Sequence, residues 1–528
     1  MTFFRKRYRT TAVFLSLGLI AACAALRETA PRPGEAASAG RRPRISPDYA
    51  DVVMPPNIAP LNFRVLEPCD RAVLTLEPEN GPVVEVKSGD GAFRIPIKVW
   101  RNLLSRNKGR LLTYRVRVKN SGRWITYEPF NNRIAEQPID SRLAYRLINP
   151  AFSLWTVMGL FQRDLETFEE KPILLNRLTQ DNCMNCHHFK TNDPEWVMLH
   201  LRGGKGSGTL IRTPDGMRKV DTSTDFNKAG SYPAWHPDGG LIAFSANSLT
   251  MFFHSRGESR DVLDAKSDIV VYDIGGNRIT SAAGLADPER METFPCWAPD
   301  GRALYFCAAD RLERYVGERQ GREDLFWETI RYDLMRIAFD PGTGAWGRPQ
   351  TVLSAKTAGG SITEPRVSPD GRFLMFTLAD YGNFPVYLES ADLHLLDLAT
   401  GRVKKLECNS GRAESFHSWS GGGGWFVFTS KRMDGLLGRP YFSRLDSAGA
   451  ASKPFVLPQK DPAFYDTFLK TYNVPELAAG EIRIGPRDWA KTAHAGPAVK
   501  AGLDPVLKPL SGPAGAAESP DLYHKAKR

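Results

Sequence analysis

The chain has 528 residues, 42% of them hydrophobic and 24% charged, with a net charge of +11. That is more chain than one small core needs and too apolar for a disordered polymer, so two or three folded domains are expected. The positive charge is spread out with no long Lys/Arg block. This argues against nucleic-acid binding and for a basic surface facing acidic lipid or protein partners.

Residues 1–22 read as a signal peptide. Arg5 to Arg9 form a positive head, and Thr11 to Ala22 form an apolar run too short to span a bilayer as a mature helix. The run Ile20-Ala21-Ala22-Cys23 resembles a bacterial lipobox, which implies lipidation of Cys23 and a membrane anchor. The alternative is an ordinary cleaved signal with an incidental cysteine. Ala24 then implies the outer membrane by the usual sorting pattern, with the protein facing the periplasm. Residues 23–55, rich in Ala, Pro, Arg and Gly, read as a flexible linker.

Residues 56–137 alternate in short stretches such as Ala72-Val-Leu-Thr-Leu and Leu111-Leu-Thr-Tyr-Arg-Val, which predicts a β-sandwich-like domain with one helix near Ile97–Ser105. Over 138–190 the period changes. Leu143, Leu147, Leu154, Val157, Met158 and Phe161 fall at helical spacing, and Pro150 divides them, so a helical connector is predicted.

From 191 to 457 the sequence repeats. Tyr232-Pro-Ala-Trp-His-Pro-Asp-Gly, Phe294-Pro-Cys-Trp-Ala-Pro-Asp-Gly and Glu364-Pro-Arg-Val-Ser-Pro-Asp-Gly each lead into an apolar run. Phe416-His-Ser-Trp-Ser-Gly is a degenerate fourth. Pro sets φ at the first turn position, Asp bonds the turn backbone and Gly accepts positive φ, so each segment is a hairpin. Second hairpins such as Asp268-Ile-Val-Val-Tyr-Asp-Ile-Gly-Gly-Asn lie between them. Two hairpins per period make a four-stranded propeller blade. The fold class is therefore mainly β, with a C-terminal propeller of five to seven blades, six being the best guess. Residues 458–528 read as a C-terminal extension, partly disordered.

These repeats resemble the TolB-type β-propeller family over roughly 190–457. The order of sandwich, cysteine motif and propeller is similar to TolB-like lipoproteins. The resemblance implies a scaffold without catalysis.

Asp181-Asn-Cys183-Met-Asn-Cys186-His187-His188 contains C-x-x-C-H. Two thiols at this spacing can each add across one vinyl group of a haem, and the next His is placed as proximal iron ligand. With seven Cys and nine His in the chain, chance occurrence is on the order of one in a thousand. A thioredoxin-like site would need a βαβ setting, and zinc would need a second ligand pair; neither is evident. One haem c on Cys183, Cys186 and His187 is therefore expected. Met184 lies inside the loop and His188 is expected to point away. His200 is preferred as distal ligand, with Met198 on the same strand face and Met217 behind it.

Gly203-Gly-Lys-Gly-Ser-Gly lacks phosphate-loop order, and Ser418-Trp-Ser420-Gly lacks the glycine before the serine that a nucleophile elbow needs. His236, His254 and His417 are scattered, and structural roles suit His236 and His417. Cys296 and Cys307 lie on two arms of one hairpin, where a disulfide and free thiols are both open. Three functions follow from the motif: electron transfer or redox sensing with periplasmic redox partners, a non-catalytic scaffold for envelope proteins with structural haem, and a haem oxidoreductase. The first is preferred, so a non-enzymatic role is favoured over catalysis while the question of an enzyme stays open.

Overall fold

A computed structural model describes residues 36–149, 157–204, 206–253, 260–311, 327–505 and 507. The signal segment, Cys23, Pro150, Leu154 and His254 lie outside the described residues. No helix among the described residues is long and apolar enough to cross a membrane.

The fold is mainly β and propeller-like. Among the described residues, six sheets of four or five strands each place one end strand innermost: the first in chain order in five of them, the last in the sixth. The inner strands are Cys183–Lys190, Ser231–Trp235, Arg290–Trp297, Ser361–Val367, Glu414–Trp419 and Thr471–Ala478. We number the sheets 1 to 6 in that order. Neighbouring inner strands pack on one another, and sheet 6 packs against sheet 1, so the ring closes.

Closure comes from both ends of the chain. In sheet 6 the inner strand Thr471–Ala478 pairs antiparallel with Arg142–Ile148, followed outward by Gly159–Asp164 and Glu170–Leu175. Two expectations are corrected here. Residues 142–148 and 159–164 are strands, not a helical connector. Leu143 and Leu147 are four apart, a spacing that one face of a strand satisfies as well as one face of a helix. The segment after 458 is built into the fold through Thr471–Ala478 and the helix Pro486–His494, whose Trp489 is fully buried.

The N-terminal domain has a seven-stranded sheet and a three-stranded sheet around one core, with the predicted helix at Ile97–Arg106. It begins earlier than expected. Tyr49, Val52 and Met54 are buried, so the second half of the supposed linker is folded. Its core runs on into sheet 5 through Phe426, Phe428 and Tyr441. The Trp425 indole N–H donates to Gln137 O at 3.0 Å across that boundary.

The Pro-Asp-Gly turns are where the repeats place them. Gly239 has φ +87°, and a Cβ there would lie 2.7 Å from the Trp196 ring, so turn and packing both require glycine. The repeat tryptophans tie sheet to sheet: Trp235 Nε1 donates to His188 O and Trp419 Nε1 to Arg366 O, both at 3.1 Å. We expect Trp419→Phe to keep the packing and lose the bond, lowering stability by about 1 kcal/mol. Urea unfolding would read this, and an unchanged midpoint would show that the bond contributes nothing.

Cys296 pairs with Tyr305 and Cys307 with Thr293 across the hairpin, and both thiols are free and buried.

Candidate functional site

Every inner strand is interrupted by the same two-residue bulge. The first residue has left-handed backbone: Cys186 (φ +52°), Tyr232 (+44°), Phe294 (+52°), Glu364 (+54°), Phe416 (+49°) and Val474 (+49°). The second is a proline or a histidine: His187, Pro233, Pro295, Pro365, His417 and Pro475. The pairing register slips at each of these points. A bulge re-aims the side chains that follow it. Here it turns the next residues, His188, Ala234, Cys296, Arg366, Ser418 and Glu476, onto the axis. All three tiers line one cavity of about 1370 Å³.

The second cysteine and the histidine of C-x-x-C-H are the bulge dipeptide of sheet 1. Cys183, Cys186 and His187 all line the axial cavity, on one wall. Both thiols are free and partly exposed. Burial pushes the Cys183 thiol up, while Arg146 and Arg202 act to lower it. His187 is buried, which pulls its imidazole down to about 4, so the ring is neutral and its nitrogen is available as a donor to a metal. Its Nε2 has no hydrogen-bond partner.

Glu476 stands opposite that nitrogen, its Oε2 4.0 Å from His187 Nε2 and equally unpartnered. Its Oε1 accepts from the Phe189 backbone N–H at 3.1 Å and pairs with His188 Nδ1. Burial acts to raise the Glu476 carboxyl, but the His188 pair outweighs it and the group lies below the usual carboxylate range. His188 was expected to point away. It lines the cavity, because the bulge at Cys186-His187 resets the alternation.

On the facing wall, Glu364 Oε2 accepts from the Phe416 N–H at 2.7 Å and from Thr377 Oγ1 at 3.1 Å, while Oε1 is unpartnered. Burial raises this carboxyl to about 7. Sequence reasoning missed both glutamates. Glu364 opens a repeat, and Glu476 follows Val474-Pro475, the same bulge pattern inside the supposed tail.

The distal-ligand expectation is corrected. Met198 and His200 do not line the cavity. His200 is buried within sheet 1, with Nδ1 bonded to Thr209 Oγ1 at 3.0 Å, and Met198 packs in the core between sheets 1 and 2. Met184 is buried in the core shared by sheets 1 and 6. Met217 sits on the fourth strand of sheet 1, outside the cavity lining. His236 does have a structural role, its Nε2 meeting Gly301 O at 3.0 Å. His417 meets Met375 O at 3.1 Å and also lines the cavity.

No protein-family model matches the chain, and no curated protein does either. Solved structures of similar fold include a nidogen/laminin complex, 10% identical over 64% of this chain and 100% of that one, with TM-score 0.35. A Pseudomonas brassicacearum lignostilbene dioxygenase is 12% identical over 84% and 96%, with TM-score 0.37. A Synechocystis apocarotenoid oxygenase is 12% identical over 83% and 97%, with TM-score 0.35.

The electron-transfer and redox-sensing reading of the motif is corrected, and its scaffold and oxidoreductase alternatives are set aside with it. The residues expected to complete an electron-carrying iron are turned into the sheets. Among the described residues, no three His, Cys, Asp or Glu side chains group to hold a metal ion.

Proposed function

We propose that this chain is a ligand-binding propeller of the TolB-like kind whose axial cavity takes one covalently attached haem c. Cys183 and Cys186 would form the thioethers and His187 would face the iron. The observation that carries this reading is the convergence of both thiols and an unpartnered, neutral His187 Nε2 on one wall of the cavity. In each thioether the S–H adds across a vinyl C=C, forming one C–S and one C–H bond, with no oxidant or reductant. The described residues offer no multi-residue metal site, so an iron here would arrive inside its own macrocycle, which a single imidazole can anchor. The cavity exceeds the roughly 300–1,000 Å³ of most small-molecule sites, so a haem leaves room beside it. When bound, the group supplies an iron able to take a ligand. The chain's part is to fix the ring, exclude water and present the other five walls. Export, lipidation at Cys23 and envelope partners on the propeller belong to the same reading.

The test is expression in a host with haem-attachment machinery, then a pyridine haemochrome spectrum on denatured protein. One haem per chain should survive denaturation. It should disappear in a Cys183→Ala/Cys186→Ala variant. Protein purified without covalent haem would sink the proposal.

A further inference from the structure

At the innermost tier of the cavity, each sheet presents one side chain at the same repeat position. Three of the six are acidic or basic side chains: His188, Glu476 and Arg366. His188 and Glu476 are neighbours, on sheets 1 and 6, and pair with each other. Arg366 stands on sheet 4, three sheets from sheet 1 in either direction, on the wall opposite the attachment strand. Its backbone is fixed by the Trp419 indole bond. Arg366 lines the cavity, half-buried, and forms no ion pair among the described residues. The nearby carboxylates Glu364 and Glu476 feel its charge, but neither pairs with it, and each is hydrogen-bonded elsewhere through one oxygen. Glu476 is committed to His188 and Phe189, and Glu364 is held by Phe416 and Thr377. Arg146, Arg202 and Lys228 also line the cavity without an ion pair among the described residues, so its charge balance is positive. Arg146 and Arg202 are nonetheless occupied, donating to Met184 O and Asn473 Oδ1 and to Ser231 Oγ.

A half-buried arginine on a cavity wall, with carboxylates near it but none in ion-pair contact, has hydrogen-bond donors left for a carboxylate brought by the ligand. We infer that Arg366 is the anion-recognition residue of the axial cavity and binds a carboxylate at the far edge of a large, flat, mostly apolar ligand. This rests on the haem reading for the identity of the ligand. In a haem tethered through its vinyl edge, the two propionates lie on the opposite edge, the one that would face sheet 4.

The test uses the full-length chain as the Cys183→Ala/Cys186→Ala variant, which cannot trap haem covalently. Iron-free protoporphyrin IX, a dicarboxylate, and its dimethyl ester are titrated by quenching of tryptophan fluorescence. The diacid should bind at least ~10-fold tighter than the ester. Arg366→Gln should remove that preference and leave ester binding unchanged, and Arg366→Lys should restore part of it. Thermal unfolding of each variant checks that the fold is intact. Equal binding of diacid and ester, or an Arg366→Gln variant that keeps the preference, overturns the inference. The haem stain on the parent chain is scored separately. A chain with no covalent haem but an Arg366-dependent diacid preference loses the haem reading and keeps this one.

Discussion

A chain ending at residue 470 is expected not to fold. It lacks the inner strand of sheet 6, the segment that, among the described residues, joins Arg142–Ile148 to the ring. The cut leaves Arg142–Ile148 as an open edge within the protein and removes Tyr472, Leu477 and Trp489, all fully buried. Burial of each such side chain is worth about 1.5–3 kcal/mol. Three of them, with the lost ladder, match the roughly 5–15 kcal/mol that holds most domains together. Far-UV and near-UV dichroism with limited proteolysis would follow the outcome. Loss of the cooperative melt is expected, while a truncated chain that melts within a few degrees of the parent would show that sheet 6 does not close the ring.

The same strand marks what could be read in the sequence. Sheets 2 to 4 were legible because their Pro-Asp-Gly turns are local chemistry: four consecutive residues specify the hairpin without help from the rest of the fold, and sheet 5 was legible as a degenerate copy of that repeat. Sheet 6 was not, because its strands come from positions more than 300 residues apart and carry no such turn. Leu143 and Leu147 suggested a helix because a spacing of four fits both periods. Strand pairing decides between them, with Gly159–Asp164 on one side and Thr471–Ala478 on the other, and the second of these is a long-range fact.

The site divides in the same way. Cys183, Cys186 and His187 stand in one short motif whose chemistry is contained in its spacing. Glu476 and Arg366 gain their meaning only when six bulges are superposed on one axis, which makes them neighbours of a ligand rather than of each other in sequence. The pattern was present in outline, since Tyr232-Pro, Phe294-Pro, Glu364-Pro and Phe416-His open the repeats. Extended to Cys186-His and Val474-Pro, it would have found both walls. His200 and Met198 were misplaced because period-two alternation says which residues share a face, not which face looks at the axis.

Glu292→Gln is expected to stabilise the protein above pH 8 and to change it little near pH 4. Glu292 is buried on the inner strand of sheet 3, with Oε2 unpartnered. Burial is the main cause that raises its carboxyl to about 8, reinforced by Asp268 and Asp287 nearby. The Asp287 backbone and Arg311 pull the other way, but Arg311 is shared with Asp268 at 3.3 Å. Between the ordinary carboxylate range and pH 8, the unfolded chain releases this proton while the folded chain keeps it. Stability from this group is therefore fully present in acid, falls as pH rises through that window, and levels off above 8. The span corresponds to an effect on the order of a few kcal/mol. Glutamine keeps the size of the neutral acid and has no proton to lose, so the variant should not show that decline. Urea unfolding of parent and variant from pH 5 to 9 measures it directly. The two stability curves should diverge as pH rises, with the variant above. Parallel curves would mean that Glu292 ionises in the folded protein at an ordinary pH, with Arg311 as its true partner.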